Sequence, residues 1–348
     1  MKRKILALSL AIMLAASSLS GCGGTKQTET TAPADKDTET PATETVEPVV
    51  LKVNLTQTTT DPWYDWWTDW ANRVEEASEG TLKLELYTGQ SLGSSAEILQ
   101  ANVEGSYFIA VSDFAGLADY CADASVYHVP YLIQRPEQIY ELWQSDIGQE
   151  IDAKIADAGI HVIAPVYYGT RNVLCNKPVT NREEMGTIRL RVLNNKMWTF
   201  VAECLGANPT GMPWSEIYQA LTQGIADGAE SPSSSLYTEK FYEVCKYLIV
   251  TEHLIANSVM SMSQEVYESL PEKAQNALDT VSAEFSKETV DLVNGETAKF
   301  DQLLKDEGVT FVEFDKAPVI EYAQTHVEEK FPEWSEGLYK RANEFLNG

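Results

Sequence analysis

The chain has 348 residues and is strongly acidic, with 26 lysines and arginines against 52 aspartates and glutamates, a formal charge of −26. Such a surface repels nucleic acid and anionic lipid, so an acidic ligand would need a local cationic anchor inside a cleft. The four histidines, at 128, 161, 253 and 326, and the five cysteines lack metal-type spacing, and neither a phosphate loop nor a Gly-x-Ser-x-Gly elbow occurs.

Residues 5–22, ILALSLAIMLAASSLSGC, follow Lys2, Arg3 and Lys4. The apolar run is about 15 residues long, too short to span a bilayer and placed where an export signal carries its apolar core. Leu19, Ser20 and Gly21 ahead of Cys22 resemble a bacterial lipobox. Residues 1–21 are therefore expected to be a removed signal peptide, with Cys22 carrying acyl chains that anchor the mature chain outside the cytoplasm. Residues 22–48 are Thr, Glu, Pro, Ala and Asp with almost nothing large and apolar. They cannot repay the entropy of ordering and read as a disordered tether reaching tens of ångströms.

VVLKVNL at 49–55 predicts a buried strand, and the turn at Asp61-Pro62 opens a helix in which Trp63, Trp66, Trp67 and Trp70 recur at three and four. A strand at 81–87, a helix at 95–104, an apolar run at 108–111, one helix from about 136 to 158 and a strand at 161–168 continue the alternation. This is the pattern of an open α/β sheet, whose ligand loops lie at strand ends. A second set starts near Arg171, with strands at 172–176 and 188–192, a helix across Met197–Leu205 and another from about 213 to 223. After a short strand at 258–262, a helix from Pro271 to about Asp306 would be roughly 50 Å long, more than one modest lobe needs. A strand at 309–314 and two helices divided near Pro332 complete the chain. Cys121, Cys175, Cys204 and Cys245 read as buried thiols, a disulfide among them being the alternative in an oxidising compartment.

In IRLRV, Arg189 and Arg191 share the face opposite Ile188, Leu190 and Val192, and the Asn194-Asn195 turn puts this strand end near a cleft mouth. A planar guanidinium matches carboxylate geometry, yet the bare sequence favours two solvated surface arginines. Arg171 stands between the two sets of elements. Tyr168, Trp198, Trp214 and Tyr237 are candidate pocket walls, each of which taken singly reads more readily as core. His128 and His253 read as structural.

The stretch TIRLRVLNNKMWTFVAECLGANPTGMPWSEIYQALTQGIADGAESP, residues 187–232, resembles the central signature of DctP-type solute-binding subunits of tripartite ATP-independent periplasmic (TRAP) transporters. Leu92-Gly93 with Glu97, Pro130-Tyr131-Leu132, Gly169-Thr170-Arg171 and the run 241–253 extend the resemblance, in order, over nearly all of 50–345. It implies an α/β, two-lobed periplasmic-binding-protein-like fold with crossing strands and a long helix spanning both lobes. On that plan 49–168 with 257–296 form lobe I, and 169–256 with 297–348 form lobe II. It also implies a monomer without cofactor, metal or covalent chemistry that closes on a small organic acid and delivers it to two integral membrane subunits. A receptor for an ATP-driven transporter or a sensory system is the alternative, and an exported hydrolase or a purely structural surface protein stands further off. Within the resemblance Arg191 is the carboxylate clamp and Arg189 a solvated strand residue. Arg171 either supplements the clamp or pairs with an acid at the hinge. Glu97 either accepts from ligand hydroxyl or amino groups, the preferred reading, or caps its helix. Ser231 stands where the family commonly has asparagine, which shortens the hydrogen-bonding reach at that point.

Overall fold

The computed structural model describes residues 47–348, so the signal segment, Cys22 and nearly all of the tether lie outside the described residues. The first lobe is built on three strands, β1 (Val49–Asn54), β2 (Leu82–Tyr87) and β3 (Phe108–Ser112), with α1 (Pro62–Ala77) and α2 (Ser95–Val103) as the intervening helices. Asp61 caps α1 by accepting from Trp63 N, and Pro62 occupies the first helical position, where its missing N–H costs nothing. Trp63, Trp67 and Trp70 are buried on one face of α1, as their spacing predicts.

The single helix expected over about 136–158 is two, α3 (Glu137–Gln144) and α4 (Asp146–Asp157). Ser145 adopts extended backbone between them and its hydroxyl accepts from Gly148 N, so a polar cap restarts the helix without any proline to announce the break.

The strands expected at 161–168 and 172–176 are one, β4 (Ile160–Cys175). There follow α5 (Arg182–Met185), β5 (Arg189–Val192), α6 (Lys196–Leu205), β6 (Asn208–Gly211), α7 (Ile217–Thr222), β7 (Gly228–Ser231) and α8 (Ser233–Thr238). The short strand expected at 258–262 is the end of the 17-residue β8 (Tyr247–Ser263). Sheet order is β2-β1-β3-β8-β4-β7-β5-β6. The two long strands pair antiparallel along their length, and β8 also holds β3 at its Val259–Met262 end while β4 holds β7 at its Asn172–Cys175 end. They therefore cross from one lobe to the other. Register shifts between Val162 and Ala164, Tyr167 and Gly169, and Arg171 and Val173 break the alternation that would have betrayed a continuous strand.

The long helix reaches polar groups of both β4 and α1. After α9 (Gln264–Ser269) comes α10 (Glu272–Asp306), 35 residues long, which packs on β4, α1 and α8. Ser286 Oγ donates to Pro165 O, Tyr167 N donates to Thr289 Oγ1 at 3.1 Å, and Trp70 Nε1 donates to Ser282 Oγ at 2.9 Å. β9 (Thr310–Glu313) then pairs with β8 beside Tyr247–Val250. α11 (Ala317–Lys330) packs on α6 of the second lobe, but α12 (Leu338–Asn347) returns to the first. Gln138 Nε2 donates to Leu346 O at 2.7 Å, Asn347 Nδ2 donates to Leu132 O at 3.0 Å, and Arg341 pairs with Glu150. The last helix of 297–348, expected with lobe II, thus packs on elements of lobe I and buries Leu338 and Ala342.

Cys121, Cys175, Cys204 and Cys245 are buried free thiols, and burial raises the pKa of Cys175 to about 11. Among the described residues no helix is long and apolar enough to cross a membrane, and no cluster of His, Cys, Asp or Glu could hold a metal ion.

Candidate ligand-binding site

A cleft of about 500 Å³ is lined from three directions: by Ser94, Ser112, Asp113 and Asp119 of the first lobe, by Arg191, Trp198, Trp214 and Ser231 of the second, and by Tyr168, Arg171 and Asn257 of the crossing strands. Parallel pairing of β5 with β6 and β7 puts Arg191 opposite Thr210 and Ala229, with 1 % of its surface exposed. Its Nε and Nη2 both donate to Met212 O, at 3.1 and 2.7 Å, and its guanidinium lies 5.5 Å from the Trp214 ring. It makes no ion pair with any described carboxylate, unlike either of the other two arginines singled out. Burial lowers its pKa to about 10, Glu230 and Asp113 opposing the shift and Arg171 adding to it, so the group stays cationic at neutral pH.

Arg189, expected to be solvated, is exposed but not free. Its Nε and Nη2 donate to the two Asp227 carboxylate oxygens at 2.8 Å each. Arg171 faces Glu230 because β4 and β7 are neighbours, with Asn172 opposite Ser231 and Val173 opposite Glu230. Nε donates to one Glu230 carboxylate oxygen, and Nη2 donates to the other at 2.8 Å and to the Glu230 carbonyl at 3.0 Å. The Arg171 guanidinium also lies over the Trp198 ring at 4.7 Å. Burial pushes the Glu230 carboxyl up, but Arg171, assisted by His253, outweighs it and holds the pKa down at about 2. The His253 ring sits 3.4 Å from Glu230 and shares a 2.8 Å hydrogen bond with Thr251. The hinge ion pair is thus present, and Arg171 lines the cleft as well.

Tyr168, Trp198, Trp214 and Ser231 all reach the cleft. Tyr168 OH is held by Gln57 Nε2 and Ser235 Oγ, each at 3.1 Å, and Trp198 Nε1 donates across the lobes to Asp113 at 3.2 Å. Glu97 and Tyr237 are not among the residues that line it. The Glu97 carboxylate closes a capping box with Ser94, accepting from its N–H and hydroxyl at 2.8 Å each, and the residue is exposed. Of its two readings the helix cap is the one present, because a carboxylate three residues after a serine cap lies beside that cap. Tyr237 stacks on Tyr242 and packs near Phe300 in the smaller apolar core.

Sequence reasoning missed Ser112, Asp113 and Asn257. Asp113 follows the apolar run of β3 at a strand end, a signal that strand-end loops carry ligand contacts, whereas Asn257 sits inside a strand the sequence did not disclose. Ser112 Oγ, Ser231 Oγ and Asn257 Oδ1 are buried polar atoms without a hydrogen-bond partner, and all three residues line the cleft. Unpaired buried polar groups are rare in folded proteins, and three around one cavity mark a surface built to meet polar groups.

The family model for bacterial extracellular solute-binding protein family 7, DctP, matches residues 53–335. The chain belongs to the DctP family. It is an extracytoplasmic solute-binding protein of the TRAP type. The sialic acid-binding periplasmic protein SiaP of Vibrio cholerae is 28% identical over 255 residues, 73% of this chain and 79% of that protein. The C4-dicarboxylate-binding periplasmic protein DctP of Rhodobacter capsulatus is 26% identical over 265 residues, 76% and 80% of the two chains. The crystal structure of a TRAP solute-binding protein from Ochrobacterium anthropi with bound L-fuconate superimposes with a TM-score of 0.82 at 30% identity, covering 86% of this chain and all of that one.

Proposed function

We propose that this protein captures a small organic acid by its carboxylate on Arg191 and delivers it to the two membrane subunits of a TRAP permease, working from a lipid anchor on Cys22. The observation that carries the reading is the Arg191 guanidinium, buried in the cleft wall and without a carboxylate partner among the described residues. A buried cation of this kind is costly until an anion meets it. Two of its donors already hold Met212 O, which fixes the plane of the fork and leaves Nη1 for the ligand. Arg171, its charge balanced by Glu230, orients the acid rather than neutralising it. Trp198, Trp214 and Tyr168 supply apolar walls, and Ser231 and Asn257 meet ligand polar groups. Lobe closure follows from differential binding, since the ligand completes contacts to both lobes only when they approach.

The acids named for three relatives, sialic acid, a C4-dicarboxylate and L-fuconate, support the reading by their shared carboxylate. Native mass spectrometry of the protein purified under mild conditions tests it. A retained carboxylic acid, confirmed by calorimetric titration of stripped protein, is expected; a retained neutral sugar or polyol with no response to any acid would overturn it. Intact mass of detergent-extracted protein tests the anchor, which predicts loss of residues 1–21 and added acyl mass on Cys22.

A further inference from the structure

We infer that the cleft accepts a single negative charge, and that Asp113 and Asp119 on its first-lobe wall exclude a second, which selects a polyhydroxy monocarboxylic acid over a dicarboxylic one. The inference rests on the reading of Arg191 as the carboxylate anchor. Arg171 and Arg191 are the cations lining the cleft, and no lysine or histidine joins them. Glu230 already balances Arg171, so Arg191 alone offers uncompensated positive charge. An acid seated on Arg191 in the second lobe extends its far end towards the first. There Asp113 already accepts from Gly116 N at 2.6 Å and from Trp198 Nε1, and the exposed Asp119 has no ion-pair partner among the described residues. The amino end of α2, with Ser94 and Ser95, also reaches the cleft and would otherwise attract an anion, but the Glu97 carboxylate occupies that end.

The unpaired polar atoms indicate what the rest of the ligand carries. Asn257 Nδ2 donates to Tyr127 O, which fixes Oδ1 as an acceptor in need of a donor. An ionised carboxylate has no proton to give, whereas a hydroxyl donates and accepts. The Ser112 and Ser231 hydroxyls can serve either way. One carboxylate followed by several hydroxyls satisfies every one of these groups; a second carboxylate in place of the terminal hydroxyl sets like charges face to face with Asp113 and Asp119.

Calorimetric titration with three matched series tests this: gluconate, galactonate and mannonate, the aldarate of each, and the alditol of each. At least one aldonate is expected to bind at least about 100-fold more tightly than its aldarate, the scale of a like-charge juxtaposition, with no binding of the alditol. Asp119→Asn, at an exposed position, should narrow that ratio by about tenfold in a protein of unchanged melting temperature. An aldarate that binds as well as its aldonate overturns the charge limit while leaving the acid reading intact. An unchanged ratio in Asp119→Asn overturns the part given to Asp119, and a folded protein that binds none of the acids overturns the inference together with the reading beneath it.

Discussion

Arg191→Ala removes the cleft cation that has no carboxylate partner, and a buried charge-assisted contact of this kind commonly costs about 2 to 5 kcal/mol when truncated. Affinity for the acid should fall roughly 30-fold to several thousand-fold by calorimetry, with circular dichroism unchanged. Arg191→Lys should recover only part of it, because one ammonium cannot hold both Met212 O and a carboxylate in a plane. Arg189→Ala, which breaks a surface pair with Asp227, should leave affinity nearly unchanged. Glu230→Gln should be the opposite case: it strands Arg171 in the interior and should cost about 3 to 5 kcal/mol of stability in chemical denaturation. Ser231→Ala deletes a hydroxyl that has no partner, so the unliganded fold should lose almost nothing while acids that use it lose about 1 to 3 kcal/mol. Arg191 and Ser231 were marked by the resemblance to the family's central signature and not by side-chain chemistry alone, which favoured a solvated Arg191 and core packing for each aromatic wall. The sequence could not show that Arg171 meets Glu230, since that contact spans 59 positions and depends on the register of β4 against β7.

Asp61 joins the start of α1 to the second lobe, accepting from Trp63 N at 3.0 Å and from Thr238 Oγ1 at 3.4 Å. Burial raises its carboxyl to about 6, Trp63 and Thr238 opposing and Glu239 adding to the shift. Between about pH 4 and 6 the folded protein therefore holds a proton that the unfolded chain, titrating near 3.9, has released. Stability from this group is complete below about pH 4 and is lost as pH rises through about 6, a loss of about 3 kcal/mol at neutrality. Asn caps helices as well as Asp and cannot ionise, so Asp61→Asn should melt higher than the parent at pH 8 and close to it at pH 4. A difference independent of pH would remove Asp61 from this role. Gly169 has φ of +125°, and a Cβ there would meet Pro232 at 2.8 Å, so Gly169→Ala should cost about 1 to 3 kcal/mol in denaturant unfolding. The same glycine and the bulges around it explain why two strands were read where β4 is one: the apolar alternation restarts at each register shift. The break at Ser145 was hidden for the converse reason, because a serine cap leaves the helical apolar period on both sides undisturbed. The long helix α10 was legible because its stripe of Ala274, Leu278, Val281, Phe285, Phe300 and neighbours runs on without a proline, past the single Gly295.

At the scale of the molecule, β4 and β8 run through both lobes, α10 braces them, and the cleft draws its walls from each lobe and from the crossing strands. Asp113 to Trp198 and Asp61 to Thr238 join the lobes by single hydrogen bonds, the kind of contact that a ligand reaching both sides can readily reinforce. The return of α12 to the first lobe adds a further tie behind the hinge that segment-by-segment reading of the sequence could not foresee, since amphipathic periodicity shows that a helix buries one face but not against which lobe. Closure around the acid should lower the radius of gyration in small-angle scattering, and Arg191→Ala should abolish that response to the same ligand concentration. The most direct test is a crystal structure of the complex with the acid retained in native preparations. The account predicts one carboxylate oxygen at about 2.9 Å from Nη1 of Arg191, with hydroxyls meeting Asn257 and Ser231; a carboxylate seated elsewhere in the cleft, with Arg191 facing a neutral part of the ligand, would contradict it.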